Sequence, residues 1–220
     1  MVTGWLTRIL QVFAPAFTLS LCDNEYARMP PAPIAWAVRG NGKKIKNMSK
    51  HKVFISYYHK DDEYYRNRFE QLFGHLVILK SVKLGEIDED LSTNYIKRLI
   101  QENHLDDTSV LIVLVGPNTH CRKHVDWEIS AALNKKVGGY SGVFGLCLPT
   151  HDAYKKDNYN QDTVPPRLVD NWKTGYSSLY DWTEDSSKLL RRIEVAFQNR
   201  ISKSELIDNS RIQFKYNRCD

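Results

Sequence analysis

Cysteine is scarce in this chain: Cys22, Cys121, Cys147 and Cys219 are the only four in 220 residues, and no two form a Cys-x-x-Cys pair. That scatter argues against a zinc site and against a disulfide framework, and makes a reducing cytosol the simplest home. His51, His59, His104, His120 and His124 show no metal-ligand spacing either. Long apolar runs are also missing. Ile9 to Leu21 is broken by Pro15 and preceded only by Arg8, so it is too short to cross a bilayer and makes a poor signal peptide. Charge of one sign is nowhere concentrated. The formal net charge of +5 is dispersed over Lys43 to Lys52, Arg66 and Arg68, Lys97-Arg98, Arg122-Lys123, Lys135-Lys136 and Arg191-Arg192, with acidic residues between most of them. No nucleic-acid stripe results, and a small anionic ligand fits the balance. There is no internal repeat.

What is present is a composition of 42% hydrophobic and 26% charged residues, enough for one globular domain with a sizeable core plus an extension. Residues 1–47 read as that extension. They carry Met29-Pro30-Pro31-Ala32-Pro33 and Arg39-Gly40-Asn41-Gly42-Lys43-Lys44, which have linker chemistry. Leu21, directly before Cys22, is too bulky for a lipoprotein cleavage box. The expectation is that 1–47 is disordered or precedes a natural start at Met48, and that 48–220 is one domain with a C-terminal helical tail.

From Lys52 onward strands and helices alternate. Val53 to Tyr58 is a β-branched and aromatic run, and Asp61 or Asp62 is expected to cap a helix with Tyr65, Phe69, Leu72 and Phe73 inward, ended by Gly74. Leu76 to Leu79 reads as a short second strand, Lys80 to Asp90 as a long connection, and Ser92 as the cap of a helix carrying Ile96, Leu99 and Ile100. Ser109 to Val115 is an unbroken apolar strand stopped by Gly116-Pro117, and Gly142 to Leu148 is a fourth strand. A tyrosine-rich irregular region containing Val164 to Asn171 precedes a strand at Ser178 to Trp182. Thr183 then opens a helix with Leu189, Leu190, Ile193, Ala196 and Phe197 inward. This order predicts an α/β, flavodoxin-like three-layer domain with a central parallel sheet of about five strands.

Within that frame Glu128 is the informative residue. Val125, Ile129, Ala132 and Leu133 define an apolar helical face, and Glu128 falls between Val125 and Ala132 on the wheel, at the rim of the core with His124 one turn back. Ligands in open α/β sheets settle at the carboxyl ends of strands, where this helix begins. Asp61 and Asp62 do not form a receiver-type acidic pair, because Gly116 stands where that chemistry needs an aspartate. Cys121 lacks a base beside it and reads as a small loop residue.

Lys52 to Tyr58, the acidic start of the first helix, Ser109 to Gly116 and Val125-Asp126-Trp127-Glu128-Ile129 together resemble a TIR domain. They are most similar to the bacterial TIR-like branch that includes the TIR protein of the Thoeris anti-phage system. The likeness runs from Lys52 to about Arg200. Many TIR domains have a Trp-Cys pair before the glutamate; here His124 and Val125 occupy those positions and Trp127 adjoins Glu128. The resemblance implies cleavage of the nicotinamide–ribose bond of NAD, with Glu128 as the catalytic carboxylate and Ser56, Tyr57 and Tyr58 as substrate-binding residues. NAD would be the substrate, with no cofactor and no metal. It implies a cyclic ADP-ribose-type product read by a nucleotide-sensing effector protein, self-assembly or a phage trigger, and a cytoplasmic location without nucleic-acid or membrane partners. Two other readings stay open: a non-catalytic TIR-like assembly module, using Lys80 to Asp90 with Glu86 and Asp88, and a nucleoside deoxyribosyltransferase-like enzyme, which also places a carboxylate at a glycosidic carbon.

Overall fold

The computed structural model describes residues 50–80, 105, 107–135, 138–156 and 160–219. The expected connection from Lys80 to Asp90, apart from Lys80, and the helix begun by Ser92 lie outside these residues, as does the extension 1–47.

Val110–Val115 forms β3, six apolar residues all buried. Its alternate side chains feed two separate cores, which is the pattern of a parallel strand covered on both faces. Leu111, Val113 and Val115 join one core, and Val110, Ile112 and Leu114 join the other. Lys52–Ser56 (β1), Ile78–Lys80 (β2), Gly142–Cys147 (β4) and Ser178–Asp181 (β5) complete the sheet. The order is β2-β1-β3-β4-β5, and all four strand pairings are parallel. This is the doubly wound flavodoxin-like order.

Helices cover both faces. On one side lie α1 (His59–Phe73), through Phe69 and Phe73, and the long Ser186–Ser202 helix, named α4, through Leu189, Ile193 and Ala196. On the other lie α2 (Lys123–Ala132), through Val125, Ile129 and Ala132, and α3 (Pro166–Lys173), through Leu168 and Val169.

Several boundaries differ from expectation. Neither Asp61 nor Asp62 caps α1: Tyr58 is the N-cap residue, and Asp62 reaches back from the first turn to accept its amide. Asp185, not Thr183, caps α4, accepting the amides of Ser187 and Lys188, while the Thr183 hydroxyl accepts the amide of Asp185. Leu190 faces outward at 38% exposure. The segment expected to be irregular contains α3, begun by Pro166 in the first turn, where a missing amide hydrogen costs nothing.

After α4 the chain makes one short turn at Ser204–Leu206 and then runs without regular structure to Cys219. Side-chain bonds hold this tail across α2 and α3. Arg167 and Asp126, 1% and 2% exposed, form a buried ion pair 2.9 Å apart. The Asp126 carboxylate also accepts the Phe214 amide at 2.9 Å, and the Trp127 indole donates to the Phe214 carbonyl at 2.8 Å. Removing a buried charge from such a network leaves its partner unpaired, which typically costs several kcal/mol.

Candidate functional site

The sheet reverses direction of winding between β1 and β3. The chain leaves β1 toward one edge and re-enters at β3 on its other side, so the loops after these two strands part and leave a crevice at their carboxyl ends. Ser56 ends β1, Gly116 follows β3, and α2 rises from the second loop.

Glu128 lies midway along α2 and is more deeply buried than its position on the wheel implies, with 7% of its surface exposed. Every residue from Val125 to Ala132 is buried, because α3 and the tail cover the side of the helix that would otherwise meet water. The His124 ring, one turn back, stacks on Trp127 with centroids 5.1 Å apart. Burial pushes the Glu128 carboxyl up to about 8, opposed by the Ser56 hydroxyl across from β1. The Ser56 hydroxyl is itself fully buried, and the two groups face each other without a hydrogen bond of ordinary geometry. Burying polar groups that the fold does not satisfy is costly, and functional sites are where such groups concentrate.

The structure divides the two tyrosines. Tyr57 points to the opposite face of the sheet, into the core of α1 and α4, with its ring 4.2 Å from that of His59. Tyr58 stays partly exposed, and the Arg122 guanidinium lies over its ring at 3.8 Å. Period-two alternation accounts for this: Ser56 and Tyr58 leave the strand on the α2 side, and Tyr57 does not.

Asp62 is the residue whose role the sequence disguised as capping. Its Oδ2 accepts the Thr119 hydroxyl at 2.7 Å and the Tyr58 amide at 3.3 Å, and Thr119 Oγ1 in turn accepts the Gly116 amide at 2.9 Å. Asp61 accepts from Asn118 at 2.7 Å. The two aspartates therefore tie the start of α1 to the loop after β3. Burial pushes the Asp62 carboxyl up to about 6, against its bonds to Thr119 and Tyr58. A Cβ on Gly116 would stand 1.9 Å from Asp62 Oδ1, so only glycine leaves room for this carboxylate.

Cys121 corrects the reading of the cysteines. It forms a disulfide with Cys219, with Cα atoms 5.5 Å apart, although 98 residues separate them. His120 completes a group of potential metal ligands within 4.8 Å of one another, but the bonded sulfurs are not available as thiolates. A cavity of about 390 Å³ opens onto this pair and is also lined by Asp162, Asp170 and Arg211. A second, of about 310 Å³, is lined by Tyr154, Trp182 and Arg192. Glu128 and Ser56 line neither.

A doubly wound parallel sheet with a buried carboxylate at its switch point defines the class as a flavodoxin-like α/β domain. Residues 54–153 match the family described as Thoeris protein ThsB, TIR-like domain, so this segment is similar to that TIR-like family. A search of curated proteins finds no match. Among solved structures, the TIR domains in the "Structure of the activated Roq1 resistosome directly recognizing the pathogen effector XopQ" are similar at 16% identity. They cover 73% of this chain and 93% of that chain, with a TM-score of 0.34. The match over residues 54–153 supports a TIR-type signalling or NADase module. Among the described residues no helix is long and apolar enough to cross a membrane.

Proposed function

We propose that this chain cleaves the nicotinamide–ribose bond of NAD, with Glu128 as the carboxylate that faces the ribose. The observation that carries the reading is the juxtaposition of buried Glu128 with the buried, unpartnered Ser56 hydroxyl at the switch point of a TIR-like sheet. As nicotinamide departs neutral, the ribose becomes oxocarbenium-like, and an adjacent anion stabilises the developing charge. In a site shielded from water that interaction is stronger than at the surface. Ser56 then holds a ribose hydroxyl, and Tyr58 lines the entrance for a stacked base. Tyr57, turned to the other face, supports the strand end from the core side.

A carboxyl held up to about 8 is mostly neutral at pH 7. The cationic nicotinamide ring supplies the missing partner: its entry favours the carboxylate, so binding and ionisation are coupled. The product is a cyclic ADP-ribose-type signal when a group of the same nucleotide captures the cation, and ADP-ribose when water does. A nucleotide-sensing effector in the cytoplasm, following a phage trigger or self-assembly, completes the role in defence.

Incubating the purified protein and Glu128→Gln with NAD tests the reading. Loss of about 10²–10³-fold in turnover by the variant is expected, the usual cost of removing a group that stabilises transition-state charge. One observation favours a second reading, a non-catalytic assembly module: neither cavity described above is lined by Glu128. Unchanged NAD with both proteins, after assembly has been induced, would select it. Nucleobase exchange on deoxynucleosides would instead select the deoxyribosyltransferase.

A further inference from the structure

The pair Cys121–Cys219 lies where a bond between two cysteines controls more than the tail's attachment. The outermost stretch of the tail, residues 215–219, sits on the amino end of α2. The Lys123 amide, the first of that helix, donates to Asn217 Oδ1 at 3.0 Å, and the Arg218 amide donates to the Cys121 carbonyl at 2.9 Å. The first of these bonds does for α2 what its own N-cap residue, Arg122, does not, since Arg122 makes no side-chain cap, and the second pins the tail beside it. Arg122 is instead shared. It donates to the Cys219 carbonyl at 3.4 Å and to the Asn118 carbonyl at 3.2 Å, and its guanidinium covers the Tyr58 ring.

We infer that Cys121 and Cys219 form a thiol–disulfide clasp that, when closed, holds the tail on the start of α2 and fixes Arg122 over Tyr58 at the mouth of the crevice. Opening it frees residues 215–219, leaves the Lys123 amide uncapped and releases Arg122 from one of its two carbonyls. The effect on Tyr58 rests on the substrate role proposed above; the clasp itself does not.

The chemistry balances with a glutathione-type thiol. Its thiolate attacks the Cys219 sulfur, the sulfur–sulfur bond breaks, and Cys121 leaves as a thiolate and takes a proton. A second thiolate attacks the small-molecule sulfur of that mixed disulfide, and Cys219 leaves as a thiolate and takes a proton, so the protein gains two electrons and two protons and two small thiols become one disulfide. In the closing direction the same small disulfide is the oxidant, and the His120 imidazole, Nε2 3.6 Å from the Cys219 sulfur, is placed to take a thiol proton. Access exists at Cys219, which is only partly buried and, with Cys121, lines the cavity of about 390 Å³. Intracellular disulfides are mostly transient or regulatory, which suits a clasp better than a permanent brace.

The test is hydrogen exchange on the full chain, oxidised, reduced with glutathione, and as Cys219→Ser. Reduction and the variant should each speed exchange of the Lys123 and Arg218 amides by about tenfold or more, with the amides of Val110–Val115 unchanged, as befits local opening of a folded protein. Equal exchange in all three, or no cross-linked Cys121–Cys219 peptide by mass spectrometry under oxidised glutathione, would overturn the clasp. Because the readout contains no NAD, an inactive protein with a working clasp and an active one without it are told apart.

Discussion

Replacing Glu128 by glutamine should change how stability depends on pH. In the folded protein this carboxyl keeps its proton up to about 8, whereas an ordinary glutamate releases it near 4.5. Between those values the folded state binds more protons at this site than the unfolded state, so stability falls as pH rises through the window. The contribution is fully present below about pH 4.5 and lost by about pH 8. The interval from 4.5 to about 8, at about 1.4 kcal/mol per pH unit, corresponds to on the order of 5 kcal/mol. Glutamine has nearly the same shape and no proton to lose. Wild type and Glu128→Gln should therefore agree to within about 1 kcal/mol at pH 4.5, and the variant should be more stable by several kcal/mol at pH 9. Asp62, also raised, is common to both proteins and cancels in the difference. Urea unfolding followed by tryptophan fluorescence at the two pH values measures it, with Trp127 buried in the core as reporter. A difference between the proteins that is the same at both pH values would refute the reasoning.

Three further expectations come from the same geometry. On the proposed reading, in which Glu128 acts as a carboxylate, the pH profile of kcat/KM for NAD should rise toward alkaline pH with an apparent pKa near 8; a plateau down to pH 6 would contradict this. Gly116→Ala should destabilise by about 1–3 kcal/mol by forcing Asp62 aside, and Asp62→Ala should relieve much of that cost; strict additivity in the double variant would refute the contact. Arg167→Ala should cost about 3–5 kcal/mol in chemical denaturation and expose the tail to protease, because Asp126 is left buried without its cation; a loss under about 1 kcal/mol would show that the pair is not isolated from water.

Periodicity and composition, which act locally, were enough to determine the layers of this protein. An all-apolar β3 has no solvent face to offer, so it must be central and covered twice, and the alternation of strands with helices leaves a parallel sheet as the consistent arrangement. The spacing around Glu128 likewise located it on the inner margin of a helix following that strand. Capping was less legible, because Asp61, Asp62 and Thr183 have the side chains that favour helix ends, yet tertiary partners in the loop after β3 claimed the two aspartates. Only the tertiary structure decided that α2 is buried all round near Glu128, since its neighbours Asp126 and Trp127 are held by Phe214 of the tail, 88 and 87 residues further on. The same holds for Cys121 and Cys219, 98 residues apart, which no local spacing rule connects. Patterns of two and 3.6 residues report which face of an element turns inward; what meets that face depends on chain closure over long separations, which the folded backbone alone resolves.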